Sequence, residues 1–296
     1  MGRPVLAGVD GSEHSLAAAD WAAQEAVLRG VPLRLVHASP PLPDDTVPAS
    51  ARERLHQLGE RVLQQVIADL GARHPDLRVR GEQTAEAPAV ALLAAAHGAG
   101  LLVVGARGAG GFAGLTVGSV ALRVAAAADC PLVVVPERQV GGFGNGMRRH
   151  DADAQVVVGF DAHRPVGAVA DFAFAAAETR DVSLRAVQAW SLPAEAVSAG
   201  TLFVTEEDRA TWEDQEVLRL SDALHKWRET HPEVTVRTDV VLLHPAQALL
   251  NASRGAGLLV VGRRTGPQGG EGRLGPVTHA VLHHSSCPVA VVPYGE

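Results

Sequence analysis

The eight residues "GAGLLVVG" occur twice in this chain, from Gly98 to Gly105 and from Gly255 to Gly262, an offset of 157 residues. No other feature constrains the fold as tightly, because a repeated run of that length puts two copies of one structural unit in a single chain. The pairs Cys130-Pro131 and Cys287-Pro288 keep the offset, and each opens a Val-rich run ending in proline, "PLVVVP" and "PVAVVP". Near the start of each half, "VLAGVDGS" aligns with "VVVGFDAH" through Asp10 and Asp161 at an offset of 151. A unit of about 140 residues is therefore present twice. That is too long for a solenoid repeat of about 20–50 residues and fits duplication of a whole domain. The expected domains are residues 1–137 and 154–296, joined over 138–153 by the Gly- and charge-rich linker "RQVGGFGNGMRRHDAD".

Within each copy, short β-branched runs alternate with long Ala-rich segments. In copy one the strand candidates are Val5–Val9, Leu33–Ala38, Leu77–Glu82, Leu101–Val104 and Leu132–Val135. The helix candidates are Ser12–Arg29, Ala51–Arg73, Ala87–His97 and Val117–Ala127. Copy two repeats the strands near Val156–Phe160, Ser183–Ala189, Val234–Leu242, Leu258–Val261 and Val289–Val292. Runs apolar on both faces suit parallel strands covered by helices, and strand–helix alternation gives a doubly wound α/β sheet. The expectation is two five-stranded parallel sheets, each binding ligands outside the C-terminal ends of its strands.

Composition narrows the function. Residues 1–150 hold equal numbers of acidic and basic side chains, so the second half carries the whole net charge of −7. No basic face is implied, which argues against nucleic acid as a partner. Lys226 is the single lysine and no glycine precedes it, so no P-loop signature is present; nor does G-x-G-x-x-G follow either first strand. Two cysteines at matching places suggest buried packing in a reduced, cytoplasmic setting, not a disulfide framework. Asp10 interrupts any N-terminal apolar run, so no signal peptide is expected. The apolar stretch Ala87–Gly105 is broken by Pro88, His97, Gly98 and Gly100, and reads as a buried helix and strand rather than a membrane span. His279 and His283 stand four apart on a helix without an evident third ligand, so a structural role is expected.

The informative difference lies after the repeated octet. Copy one continues Gly105-x-x-Gly108, nine residues, then Gly118-Ser119. Such a loop lets backbone N–H groups approach an anion and leads into a helix N-terminus with unpaired donors and a positive dipole end. Ser119 adds a hydroxyl. This is a phosphate cradle built mostly from backbone, suited to a chain almost without lysine.

Together, "VLAGVDGS", the loop G-x2-G-x9-G-S and the terminal "CPLVVVP" resemble the universal stress protein family in its tandem-domain form, over nearly the whole chain. The resemblance implies that the loop holds the ribose and phosphates of ATP; because that loop is free of lysine and its donors are mostly backbone, Mg²⁺ is expected to help without being essential. The resemblance also implies that the strand-one aspartate and the end of strand two hold adenine and ribose. Residue by residue, this designates Gly8, Asp10, Ala38, Val104, Gly105, Gly108, Gly118, Ser119 and Val120. Each has a plainer rival: Asp10 and Ser119 as helix caps, the glycines as turn formers. Arg107 is a further phosphate candidate, against a solvated surface role. The resemblance also implies that the copies pack through their final strands and that chains form homodimers.

Copy two keeps Gly159, Asp161, Ala189, Gly262 and Gly275 as a weak second site, but Thr265 replaces Gly108 and Pro276 replaces Ser119. A β-branched residue is costly wherever a loop needs positive φ. Proline suits the first helical position but removes an N–H. Glu271 adds negative charge near the expected phosphates. Three functions compete: an ATP-responsive regulatory module with an unidentified protein partner, a slow ATPase or phosphotransferase, and a nucleotide-free scaffold. No general base or catalytic lysine is evident, which disfavours the enzyme.

Overall fold

The computed structural model describes residues 2–40, 48–109, 116–136, 154–192, 205–266 and 273–295. The linker expected over 138–153, and Glu271, lie outside them. The chain divides into two compact units. The first comprises Met1–Gln139 with Arg263–Leu274 and Pro288–Glu296; the second comprises Val140–Gly262 with Gly275–Cys287.

The first unit opens with β1 (Val5–Gly8), α1 (Glu13–Arg29), β2 (Leu33–Ala38), α2 (Ala49–Arg73) and β3 (Val79–Thr84). It continues through α3 (Pro88–Ala96), β4 (Leu101–Gly105), α4 (Ser119–Ala127) and β5 (Leu132–Val135). Strands β1, β4 and β5 are almost fully buried, as their unbroken apolar runs require when helices cover both faces. The parallel order is β3-β2-β1-β4-β5. Chain order reverses between β1 and β4, so the ligand crevice of a doubly wound sheet falls outside the carboxyl ends of those two strands.

The unit holds one more strand. β10 (Val289–Tyr294), the last strand of copy two, runs antiparallel to β5 with Val289 opposite Val134 and Ala290 opposite Val133. The first unit's sheet thus gains a sixth strand from the far end of the chain, and the final strands of the two copies pair as the resemblance implied.

The second unit contains β6 (Val156–Gly159), α5 (Gly167–Arg180), β7 (Leu184–Trp190), α6 (Glu206–Thr230) and β8 (Val236–Leu242). It goes on with α7 (Pro245–Ala252), β9 (Leu258–Arg264, whose last two residues fall in the first unit) and α8 (Pro276–His284). Strands β9-β6-β7-β8 are parallel. The doubly wound α/β architecture is as the alternation predicts.

Several boundaries differ from expectation. β3 begins at Val79, not Leu77, because Leu33 pairs with Val79 and sets the register. Ser12 is the N-cap of α1, its side chain accepting the Ser15 N–H. β9 runs on to Arg264, whereas β4 stops at Gly105. Both cysteines are free and buried, and burial pushes each thiol up to about 11. Among the described residues no helix is long and apolar enough to cross a membrane.

Candidate functional site

The designated residues of copy one gather at the switch point. Gly8 ends β1, with Asp10 two residues on, and Ala38 ends β2. Val104 and Gly105 end β4, followed by Arg107 and Gly108. Gly118 is the N-cap of α4, with Ser119 and Val120 in its first turn.

Asp10 organises this region. Its Oδ1 accepts from the Ser12 hydroxyl at 2.6 Å and the Ser12 N–H at 3.0 Å. Its Oδ2 accepts the Ala109 N–H at 2.8 Å. The carboxylate therefore clasps the loop after β4 to the turn after β1, and Ser12, braced by Asp10, does the capping. Burial pushes the carboxyl's pKa up, but these bonds and a contribution from Ser15 outweigh it and hold it below its ordinary value. Gly11, between Asp10 and Ser12, has φ +80°, a conformation glycine adopts without strain.

The loop glycines serve close approach. Among the described residues, positive φ occurs at Gly11, Gly30, Gly255 and Asp181, so neither Gly105 nor Gly108 is there to supply it. A Cβ on Gly108 would lie 2.5 Å from Asp10 Oδ2, and one on Gly105 2.7 Å from the His14 carbonyl oxygen. Thr265 likewise is not held at positive φ, which overturns the expectation that it strains copy two's loop. Its N–H and hydroxyl both donate to the Tyr294 carbonyl, at 2.8 and 3.0 Å.

Some loop donors are already engaged: Ala106 N–H on the Val135 carbonyl at 2.8 Å and Gly118 N–H on the Ala106 carbonyl at 2.7 Å. Residues 110–115 of the expected loop lie outside the described residues, and further donors stand at the start of α4. Gly118 provides no side-chain cap, and the N–H groups of Ser119, Val120 and Ala121 lack intrahelical acceptors by helix geometry. Unpaired donors at the positive end of a helix dipole suit an anion, and the exposed Ser119 hydroxyl stands beside them. Gly118 itself is not sterically confined, since a Cβ there would meet nothing closer than 3.6 Å.

Copy two uses other chemistry. Gly159 ends β6, Ala189 lies in β7, Gly262 in β9, and Gly275 is the N-cap of α8. Pro276 is the first residue of α8, so the donor that Ser119 offers is missing. Asp161 takes the His163 N–H at 3.0 Å, as Asp10 takes that of Ser12. Buried Gln188 accepts the Ala162 N–H at 2.8 Å and donates to Glu216 at 2.7 Å. Glu216 also meets His163 at 3.1 Å and contacts Arg219. Burial raises its pKa, but hydrogen bonds from Gln188 and Arg219 and the nearby cationic groups bring it below the ordinary value. In copy one the aligned positions are His37, whose Nδ1 bonds the Val9 carbonyl at 2.9 Å, and Gly59, where a Cβ would collide with His37.

Sequence reasoning missed Ser12, Ser15, Gln188 and Glu216, and also Arg263. Arg263 is 4% exposed; it donates to the Ala126 carbonyl at 2.9 Å and to the Ala128 carbonyl, closing the C-terminus of α4. Burial lowers its pKa, opposed by the Asp129 carboxylate. His279 and His283 pack with ring centroids 4.5 Å apart. Among the described residues no group of three or more metal-ligating side chains is present.

The universal stress protein family matches the chain twice, over residues 1–136 and 154–293. Universal stress protein Rv2005c of Mycobacterium tuberculosis is 33% identical over 97% of this chain and 96% of its own length. A universal stress protein crystal structure from Archaeoglobus fulgidus is 17% identical, with a TM-score of 0.65 over 98% of both chains. A universal stress protein crystallised with cAMP is 30% identical over 45% of this chain and 96% of its own, with a TM-score of 0.35. The double match and the full-length relatives lead to one conclusion: this chain belongs to the universal stress protein family, in its tandem-domain form.

Proposed function

We propose that copy one binds ATP and acts as a nucleotide-responsive regulatory module in the stress response, with residues 1–137 and 154–296 as its two domains. One observation carries this reading. The Asp10–Ala109 bond ties the start of the glycine loop to the turn after β1 at the switch point, and the α4 N-terminus at the loop's far end lacks a side-chain cap. Its first-turn N–H groups suit phosphate, while Gly8, Asp10 and Ala38 line the ends of β1 and β2, where adenine and ribose would lie. Gly105, Gly108, Ser119 and Val120 would hold the phosphates, with Val104 and Gly118 framing the loop and Arg107 at its rim. Mg²⁺ would add charge neutralisation to a site whose donors are mainly backbone.

Copy two is the degenerate half, because Pro276 lacks the N–H that Ser119 carries. A charge-assisted hydrogen bond contributes about 1.5–3 kcal/mol, so its loss weakens binding roughly 10- to 150-fold. A regulatory role is favoured over hydrolysis because phosphoryl transfer needs a group to orient the nucleophile and positioned cations, and Asp10 is engaged in the clasp. The reading includes a cytoplasmic setting, supported by two free thiols, and an unidentified protein partner. Mass spectrometry of nucleotide released from the purified, denatured protein tests it, together with calorimetric titration of ATP with and without EDTA. One bound nucleotide per chain, persisting in EDTA, is expected. Two equally tight sites, or none, overturn it.

A further inference from the structure

At the opposite end of each unit's strands the duplicated copies carry matching grooves of opposite charge. In the first unit an open groove of about 790 Å³ lies between the C-terminal ends of α1 and α2 and the N-terminal ends of β2 and β3. Val27, Val31 and Leu77 give it an apolar floor; Arg34, Arg73, Arg78 and Arg80 outnumber Asp76 around it. Arg34 is paired with Glu82 at 3.0 Å and Arg73 with Asp20. Arg78 and Arg80 are exposed and make no ion pair among the described residues.

The second unit has the corresponding groove, of about 470 Å³, lined by Glu178, Asp181 and Glu233 around Val182 and Val234, with Arg237 as its basic residue. The repeat offsets align the two position by position. Val27 becomes Glu178, Gly30 becomes Asp181 and Arg78 becomes Thr235, while Asp76 becomes Glu233 and Arg80 becomes Arg237. The change at Asp181 is informative. Gly30 and Asp181 both end their helices in left-handed backbone, at φ +62° and +52°. Glycine tolerates that conformation better than aspartate does, so copy two carries a charge where local backbone preference favours glycine. Glu178, Asp181 and Glu233 are exposed; Glu178 also reaches His231 at 3.1 Å.

We propose that the protein associates head to tail, the basic groove of one chain docking against the acidic groove of a second copy. The occupant is a second copy because the complementary surface is present on the same chain, built at the same place in the same fold. Such a contact is heterologous: it uses different patches on the two partners. The inference does not depend on nucleotide binding.

Sedimentation velocity of the full chain tests it. The weight-average coefficient should rise with concentration at about 0.1 M salt. The apparent association constant should fall at least about tenfold at about 1 M, where the Debye length shrinks from about 10 to about 3 Å. Two charge-reversed proteins complete the test, Arg78→Glu with Arg80→Glu and Glu178→Arg with Glu233→Arg, all at exposed positions. Each alone should lose the salt-sensitive association, since its grooves then repel; an equimolar mixture should regain it. A concentration-independent coefficient for the unmodified protein overturns the proposal, and is what a small anion bound in the first groove would give. Association that survives both reversals, or a mixture that fails to associate, overturns it too.

Discussion

At the residue scale the candidate site is organised by a carboxylate and a missing side chain. Asp10 accepts the Ala109 N–H at 2.8 Å, and Gly108 leaves room for it, since any Cβ would stand 2.5 Å from that oxygen. Gly108→Ala should therefore destabilise the protein by about 0.5–1.5 kcal/mol, because the Asp10 carboxylate must turn aside and give up its bond to the Ala109 N–H. In an Asp10→Ala background the same change should cost almost nothing, because the colliding oxygen is gone. Urea denaturation of the four proteins measures this coupling, and additive effects would contradict it. Asp10 also sets a pH response. Its folded pKa is depressed, so its stabilisation is complete above the unfolded value of about 3.9 and is lost as pH falls through the lower folded value. Between about pH 5 and about pH 2 the denaturation midpoint of the Asp10→Asn protein should fall less steeply than that of the unmodified protein.

At the element scale, α4 and α8 separate the two copies. Both begin after a glycine N-cap, but α8 starts with Pro276. Pro276→Ser should raise nucleotide affinity in copy two without restoring parity, because Glu216 and Gln188 still rebuild the turn after β6. Calorimetric stoichiometry moving from one towards two sites at high nucleotide would show it. The C-terminus of α4 is closed by Arg263, so Arg263→Met should cost about 1.5–3 kcal/mol, leaving the Ala126 and Ala128 carbonyls without their charged donor. Thermal unfolding reads the loss directly.

The alternation of strands and helices was legible in the sequence because β1, β4 and β5 are apolar throughout and long Ala-rich helices separate them. β3 was less so: "VRGEQT" has an exposed face and charged residues, and only pairing with β2 fixes where it starts. Asp10 and the loop glycines could be picked out by type and spacing. Their geometry could not, since the Ala109 N–H that Asp10 binds and the carbonyls that Arg263 binds belong to the backbone and leave no mark in the letters.

At the scale of the whole molecule, the repeat in the sequence and the compact units in space do not coincide. The last strand of copy two serves as the sixth strand of the first unit, through Val289, Ala290 and Val291 against β5. A fragment ending at the linker should therefore expose the β5 edge and associate through it, since an unpaired apolar strand is a template for pairing. Light scattering after gel filtration should find the fragment larger than a monomer at concentrations where a surface charge reversal has no effect. A well-behaved monomer of full thermal stability would mean that β10 contributes little.

The same strand sets a clock on synthesis. Val133 and Ala290 are neighbours in the sheet yet lie 157 positions apart in the chain. A ribosome adding about 5–20 residues per second would finish the first copy roughly 10–30 s before its last strand emerges. During that interval the nascent chain carries an open β edge of Leu, Val, Val and Val. Maturation of the first unit thus waits on translation of the second copy's last strand, and a product cut short before that strand would betray itself by aggregation.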